Sequence, residues 1–361
     1  MIESSDRDRN KDVDTVEYFK GPNLILRVTD RCDLRCIHCF VDSGRSHVNE
    51  LTTDEIKGII DWAARNGSFR LGITGGEPTL REDLVEIAGY ARENGLWTMI
   101  TTNGFSLTED LCRKLKEIEI NQVDVSIDNS TAEAHDHFRG RSGSFERATK
   151  AVKMLLSHNI TTAVTAVVST RNFEDLPSLY QLARELKVPF FRADVFIALG
   201  RGHSDLALTA EQFRTVYEWM DRLHDPGIKA ERIFGNFDFL FPDKYRPDIM
   251  EVVCGHKGVP VCEAGITRCT ITADGTVLPC SYFCTPEFYA GNIRENTLDE
   301  IWHKSEVLKK FRKPGTFKGA CKTCEYNTVC RGGCRARAYY MGENGPDPYC
   351  WVASSKGGNH V

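Results

Sequence analysis

Two hydrophobic periodicities alternate along the chain between Gly21 and about Asp225. Short apolar runs recur at 24–28, 71–74, 98–102, 123–127, 163–168 and 190–196. They are rich in β-branched and aromatic residues and bounded by polar residues or glycine, which predicts buried parallel strands. Between them, apolar residues fall at helical spacing. Ile56, Ile59, Ile60 and Ala63 form one stripe, with Thr52 and Glu55 as a capping box and Asn66-Gly67 as its stop. Similar stripes are Leu84/Ile87/Ala88/Ala91, Leu111/Leu115/Ile118, Phe145/Ala148/Val152/Leu155, Leu179/Leu182/Ala183/Leu186 and Phe213/Val216/Tyr217/Met220. Six strands, each followed by a helix, predict an α/β fold with a parallel sheet and right-handed crossovers. That is fewer than the eight units of a closed barrel, so a partial (β/α)6 barrel is expected, its site at the C-terminal strand ends.

From about Gly255 the pattern changes to cysteines, glycines and turn signals. The stretch RCTITADGTVLPC reads as a hairpin with Asp274-Gly275 as a two-residue turn. One helix is expected from Thr297, capped by Thr297 and Glu300 and carrying Ile301, Leu308 and Phe311. The expected organisation is a charged segment at 1–20, a barrel at 21–225, a linker at 226–255 and a small domain at 256–361.

Composition narrows the function. The 361 residues are 41% hydrophobic and carry a net charge of −5, with no long basic run, so nucleic acid is not the expected partner. The first twenty residues are charged and lack an apolar signal core, and no run of about 18 apolar residues exists, so the expectation is a cytoplasmic protein without a membrane span. Fourteen cysteines then need an explanation. Disulfides are rare in the cytosol, and a chain of this size with a real core needs no staples. Metal ligation is the better reading, as zinc or as iron–sulfur.

Cys32, Cys36 and Cys39 directly follow the first strand. Structural zinc takes four closed ligands, whereas a [4Fe–4S] cube on three thiolates leaves one iron open. Gly75-Gly76-Glu77-Pro78 ends the second strand, Thr102-Asn103-Gly104 the third and Ser126-Ile127-Asp128 the fourth. Glycines at a strand end expose backbone to a ligand, and three polar strand ends together point to a polar ligand beside the cluster.

These motifs, in this order, resemble the radical S-adenosylmethionine (SAM) superfamily, whose fold is the partial barrel, over about the first 225 residues. The resemblance implies that Cys32, Cys36 and Cys39 hold a [4Fe–4S] cluster whose open iron is chelated by SAM. It implies that Gly75, Gly76 and Glu77 bind the methionine amino group, and that Thr102, Ser126 and Asp128 serve the SAM ribose and carboxylate. Arg139 would pair with that carboxylate, and the His38 ring would lie near the adenine. Asn129 stands where the family commonly has glycine. The later run is Cys262-x12-Gly275-x4-Cys280, then Cys321-x2-Cys324-x5-Cys330-x3-Cys334, then Cys350. It resembles the SPASM pattern of mycofactocin and PQQ maturases, sulfatase maturases and haem-pathway decarboxylases. That resemblance implies two auxiliary [4Fe–4S] clusters, three in all. Cys262, Cys269, Cys280 and Cys334 would hold one; Cys321, Cys324, Cys330 and Cys350 would hold the other. Cys112 is left as a buried hydrophobe, and Cys254 and Cys284 as possible replacements for Cys262 or Cys280.

The resemblance further implies an oxidoreductase that cleaves SAM to a 5′-deoxyadenosyl radical, abstracts hydrogen from a C–H bond and passes an electron to an auxiliary cluster. Ser281 stands where sulfatase maturases have a catalytic aspartate, which argues against that chemistry, and no catalytic acid or base is assigned. Only 31 residues precede Cys32, too few for a leader-binding domain, so a separate leader-peptide-binding protein is an expected partner. A ferredoxin or flavodoxin is the expected reductant. Maturation of a ribosomal peptide leads as the function, ahead of a small molecule such as a tetrapyrrole, an aminoglycoside or a nucleoside. A non-catalytic electron carrier is the reading outside the enzyme class.

Overall fold

The computed structural model describes residues 21–44, 49–223, 227–232, 262–313, 318–324, 330, 332–342 and 345–350. The charged segment 1–20, most of the 226–255 stretch and Cys254 lie outside the described residues.

The expected alternation is present. It runs β1 (Asn23–Arg27), α1 (Thr53–Arg65), β2 (Arg70–Thr74), α2 (Leu84–Glu93), β3 (Trp97–Thr102), α3 (Glu109–Glu117), β4 (Gln122–Ser126), α4 (Ala132–Arg139) and α5 (Ser144–Ser157). It continues with β5 (Thr162–Val168), α6 (Leu176–Glu185), β6 (Phe190–Val195), α7 (Ala210–Asp221) and β7 (Lys229–Arg232). Neighbouring strands from β1 to β7 pair in parallel, in chain order. The helices cover the sheet's outer face. In α1 the Thr52/Glu55 capping box forms, and Ile56, Ile59, Ile60 and Ala63 are buried against the sheet. Burial of each large apolar side chain contributes about 1.5–3 kcal/mol, so this face fixes the helix on the strands.

Besides β7, a seventh parallel strand inside the stretch expected as a linker, four features depart from the expectation. First, α4 is a separate short helix between β4 and α5, and it carries Arg139. Second, β8 (Arg268–Ile271), the first strand of the C-terminal hairpin, pairs in parallel with β1 and so joins the barrel sheet. The sheet continues with β9 (Thr276–Leu278) and β10 (Gly291–Asn292), both antiparallel. Third, Thr272 N donates to Thr276 O, so three residues, Ala273 to Gly275, make the hairpin turn instead of two. Fourth, the helix expected from Thr297 breaks at Ser305 into α8 (Leu298–Lys304) and α9 (Glu306–Arg312). A final helix, α10, spans Arg335–Tyr340.

The C-terminal part therefore lies against both sides of the opening in the barrel. It adds β8 to the β1 edge. On the other side, Tyr349 stacks on Phe213 of α7 with ring centroids 4.6 Å apart. Among the described residues, no helix is long and apolar enough to cross a membrane.

Candidate active site

A cavity of about 510 Å³ fills the barrel. Cys32, Cys36 and Cys39 line it at the C-terminal strand ends, and Arg70, at the start of β2, lines it at depth.

The Cys32–Cys39 loop is fastened by the strand ends around it. Arg35 N and Ile37 N donate to the carbonyls of Arg139 and Phe138 at 3.2 and 3.0 Å, which ties the loop to α4. Asn103 Nδ2 donates to Asp33 Oδ1 at 2.8 Å. Arg201 completes the clamp: its backbone N reaches Cys39 O at 2.9 Å, and its Nε reaches Cys36 O at 3.1 Å. Gly200, at φ +64°, permits this approach, since a Cβ there would lie 2.4 Å from Cys39 O. Arg201 was missed in the sequence, although Leu199-Gly200-Arg201-Gly202, just past a strand end, is a visible signal.

The other expected SAM residues divide by environment. Gly76 N donates to Thr29 O at 2.7 Å, and a Cβ at Gly76 would lie 2.3 Å from Arg31 O, so the second strand end is pressed against the start of the cysteine loop. Gly75, Gly76, Thr102 and Ser126 line the cavity. Glu77 is almost fully buried and its carboxylate is occupied by Thr79 N, Thr79 Oγ1, Thr102 Oγ1 and Asn103 N at 2.6–3.0 Å. It knits β2's end to β3's, which leaves the glycine backbone as the surface this motif presents to a ligand.

Asp128 is fully buried and is not among the cavity-lining residues. Its carboxylate accepts from Arg139 Nε at 2.5 Å and from Val167 N at 2.8 Å. Burial, the largest single influence, raises this carboxyl, but the Arg139 guanidinium together with His38, His135 and the Val167 N–H outweighs it and holds the group below the usual carboxylate range. Asp128 thereby aims Arg139, whose Nη1 lies 3.8 Å from Cys36 Sγ and which lines the cavity. His38 also lines the cavity, stacked on Phe138 at 4.3 Å. Burial drives its pKa down to about 3, so the ring is neutral, and its buried Nδ1 has no hydrogen-bond partner among the described residues.

In the C-terminal part, Cys280 and Cys334 each lie within electrostatic reach of Cys262, and Cys280 of Cys334. Cys321 neighbours Cys324 and Cys350, and Cys330 neighbours Cys350. The fold thus brings Cys262, Cys280 and Cys334 into one neighbourhood and Cys321, Cys324, Cys330 and Cys350 into another, and Cys269 stands apart. Cys269 alternates along β8 with Arg268, which lines the cavity, and Thr270, whose hydroxyl lies 3.0 Å from Ser281 Oγ. It is therefore on the outer face, in the main apolar core, and the charged group beside it is Arg312. The fold does not bring it to the other three. Two further residues tie the thiol groups together. Asp347 is buried, accepts from Arg337 Nη2 at 2.7 Å, and receives Cys334 N at 2.8 Å.

Residues 26–183 match the radical SAM superfamily, and residues 262–331 match the iron–sulfur cluster-binding SPASM domain. The AdoMet-dependent heme synthase of Methanosarcina barkeri is 35% identical across 93% of this chain and 98% of its own. The chain belongs to the radical SAM superfamily. Mycofactocin maturase MftC of Mycolicibacterium smegmatis is 33% identical across 91% of this chain and 82% of its own. In fold, SuiB of Streptococcus suis bound to S-adenosylmethionine matches with a TM-score of 0.76 at 20% identity, across 91% of this chain and 77% of that one. The structure of anSMEcpe with bound AdoMet matches at 0.71 with 19% identity, across 92% and 94%.

A radical SAM enzyme uses an iron–sulfur cluster and SAM, and the residues fit both. The Cys32 thiol is pushed up to about 12 by burial, and burial likewise raises Cys36 against the pull of Arg139. Iron replaces the proton on such sulfurs, which makes Cys32 and Cys36 metal ligands more readily than nucleophiles. The glycine backbone and the buried His38 Nδ1 offer hydrogen-bonding groups, and Arg139 a cation, to a polar ligand beside them.

Proposed function

We propose that this radical SAM enzyme carries out a net oxidation inside the barrel, on a peptide undergoing maturation, with a C-terminal iron–sulfur centre taking up the electron the substrate releases. One observation carries this reading. One cavity is lined both by Cys32, Cys36 and Cys39 and by Tyr282, two residues past Cys280. When bound, the cluster and SAM supply a 5′-deoxyadenosyl radical that removes a hydrogen atom from a C–H bond. The chain's residues do the rest. Cys32, Cys36 and Cys39 hold the cluster, and Arg201 and Arg139 fix their loop. The backbone of Gly75 and Gly76 takes the amino group, Thr102 and Ser126 face the ribose, and Arg139 takes the carboxylate. The cavity walls exclude water from the radical. Cys262, Cys280 and Cys334 serve one auxiliary cluster and Cys321, Cys324, Cys330 and Cys350 the second, three clusters in all. Cys269 serves strand packing instead. A ferredoxin or flavodoxin delivers the electron, and a separate leader-binding protein presents the peptide. The likeness to a maturase at 33% identity supports this choice of substrate.

A tetrapyrrole is the second reading. Five arginines (Arg70, Arg139, Arg192, Arg201 and Arg268) line the cavity against three carboxylates, Glu77, Asp124 and Asp194. Arg139, Arg192, Arg201 and Arg268 are ion-paired with Asp128, Asp124, Asp42 and Glu263, so the support for this reading is the 35% identical relative, a heme synthase. The test is deuterium transfer. Reduced, iron-reconstituted chain with SAM is given either deuterated precursor peptides encoded beside its gene or deuterated iron coproporphyrin III. Deuterium in 5′-deoxyadenosine from the peptide supports the first reading, and from the porphyrin the second. Transfer from neither removes both.

A further inference from the structure

The barrel holds one carboxylate that cluster and SAM binding leave unused. Asp194, near the C-terminal end of β6, lines the cavity. Its Oδ2 accepts from Tyr282 Oη at 2.7 Å, and its Oδ1 from Val195 N at 2.9 Å. The other two cavity carboxylates are committed elsewhere. Glu77 is saturated by the strand ends, and Asp124 is ion-paired with Arg192 at 2.6 Å. Tyr282 lines the same cavity and packs on Phe40, which follows Cys39, with ring centroids 5.2 Å apart. In its other direction it reaches Cys280 and Cys334 electrostatically. The Asp194–Tyr282 pair therefore stands between the two thiol groups, at the place a substrate occupies in the reading above. Burial raises the Asp194 carboxyl, while the Tyr282 hydroxyl, the Val195 N–H, Arg337 and Arg268 pull it down. A carboxyl so raised accepts a proton more readily than an exposed aspartate.

We propose that Asp194 is the proton acceptor of this oxidation, positioned by Tyr282, and that the reaction is therefore of the class that releases a proton. The inference rests on the net-oxidation reading. The substrate carries an X–H group (X being O, N or S) beside the attacked carbon. The 5′-deoxyadenosyl radical takes one hydrogen atom from that carbon. The remaining unpaired electron passes to the C-terminal iron–sulfur centre, the X–H proton passes to Asp194, and a C=X double bond or a new C–X bond forms. One hydrogen atom, one proton and one electron leave the substrate, a two-electron oxidation. A decarboxylation releases CO₂ instead and has no proton to place.

The test uses full-length holoenzyme with whichever probe, peptide or iron coproporphyrin III, transfers deuterium. Asp194→Asn is expected to keep its iron and its deuterium transfer, while product per 5′-deoxyadenosine falls about 100-fold. Tyr282→Phe is expected to lose about tenfold, in keeping with one hydrogen bond to a charged group. Infrared difference spectroscopy gives a readout independent of turnover. A protonated-carboxyl band is expected to persist at pH values where exposed aspartates are ionised. It should vanish in Asp194→Asn and move to higher pH in Tyr282→Phe, because the lost hydroxyl favours the charged form. Unchanged product yield in Asp194→Asn, CO₂ released in step with product, or no such band overturns the assignment. Absence of deuterium transfer in the wild type overturns the underlying reading, and the band then decides the inference alone.

Discussion

The two thiol-bearing regions are built on opposite plans. The Cys32–Cys39 loop is fastened by residues from β2, β3, α4 and the end of β6, all set on a continuous apolar core. Its geometry is fixed by the barrel before any metal is considered. The C-terminal part has little framework of its own. Among the described residues, its separate apolar cluster has five buried members, Ile197, Ala264, Phe283, Phe311 and Ala336, with partly buried side chains such as Phe288, Val307 and Tyr339 packed on them, and the first of the five belongs to the barrel side. Its helices α8 and α9 have seven residues each and α10 has six. Such elements are marginal alone, and small regions of this kind draw folding energy from metal. The contrast teaches that one site is fixed by the barrel itself, whereas the other is set on short elements that lean on the barrel's core and edge.

The largest effect should come from removing iron. In metal-free chain, hydrogen exchange over β1–β6 is expected to stay slow while residues 318–350 exchange freely. Equal protection of both regions would erase the contrast. Next is the buried Arg337–Asp347 pair, whose side chains are 3% and 0% exposed. Asp347→Asn breaks this buried ion pair, a cost of about 3–5 kcal/mol. Iron should be lost from the C-terminal clusters first, with SAM cleavage falling later, as iron analysis and cleavage assays on the same samples would show.

A smaller effect belongs to the barrel. Burial, helped by the charge of Arg139, depresses His135 to about 4 from its ordinary 6.5. The unfolded chain binds that proton more readily than the fold does. The stability from the neutral ring is thus complete above about pH 6.5 and is lost as pH falls toward about 4. His38, depressed to about 3, adds to the same slope. His135→Gln should flatten the fall in melting temperature between pH 6.5 and 4, and an unchanged slope would contradict the assignment.

The same contrast marks what the sequence could reveal. Strands and helices of the barrel announced themselves because each buries one periodic face, and the polar strand ends marked the cavity mouth. Contacts between distant segments were harder to read. Nothing local says that 268–271 joins the barrel edge, and so nothing local separates Cys269, on the outer face of that strand, from Cys262, Cys280 and Cys334. Glu77 and Asp128 were legible as strand-end carboxylates. Their engagement by Thr102, Asn103 and Arg139 depends on strand register and on α4, a helix the periodicity did not resolve. Asp194 lies inside an apolar strand, where its meaning comes only from Tyr282, 88 residues later.

The central claim is that Cys32, Cys36 and Cys39 hold the iron–sulfur site at which SAM is broken. Its most direct measurement is 5′-deoxyadenosine formation by reduced, reconstituted chain, compared with a variant replacing all three cysteines by alanine, with iron counted in both. The account predicts cleavage by the wild type, none by the variant, and about eight irons retained by the variant on the two remaining clusters. Cleavage that survives the triple replacement would contradict it.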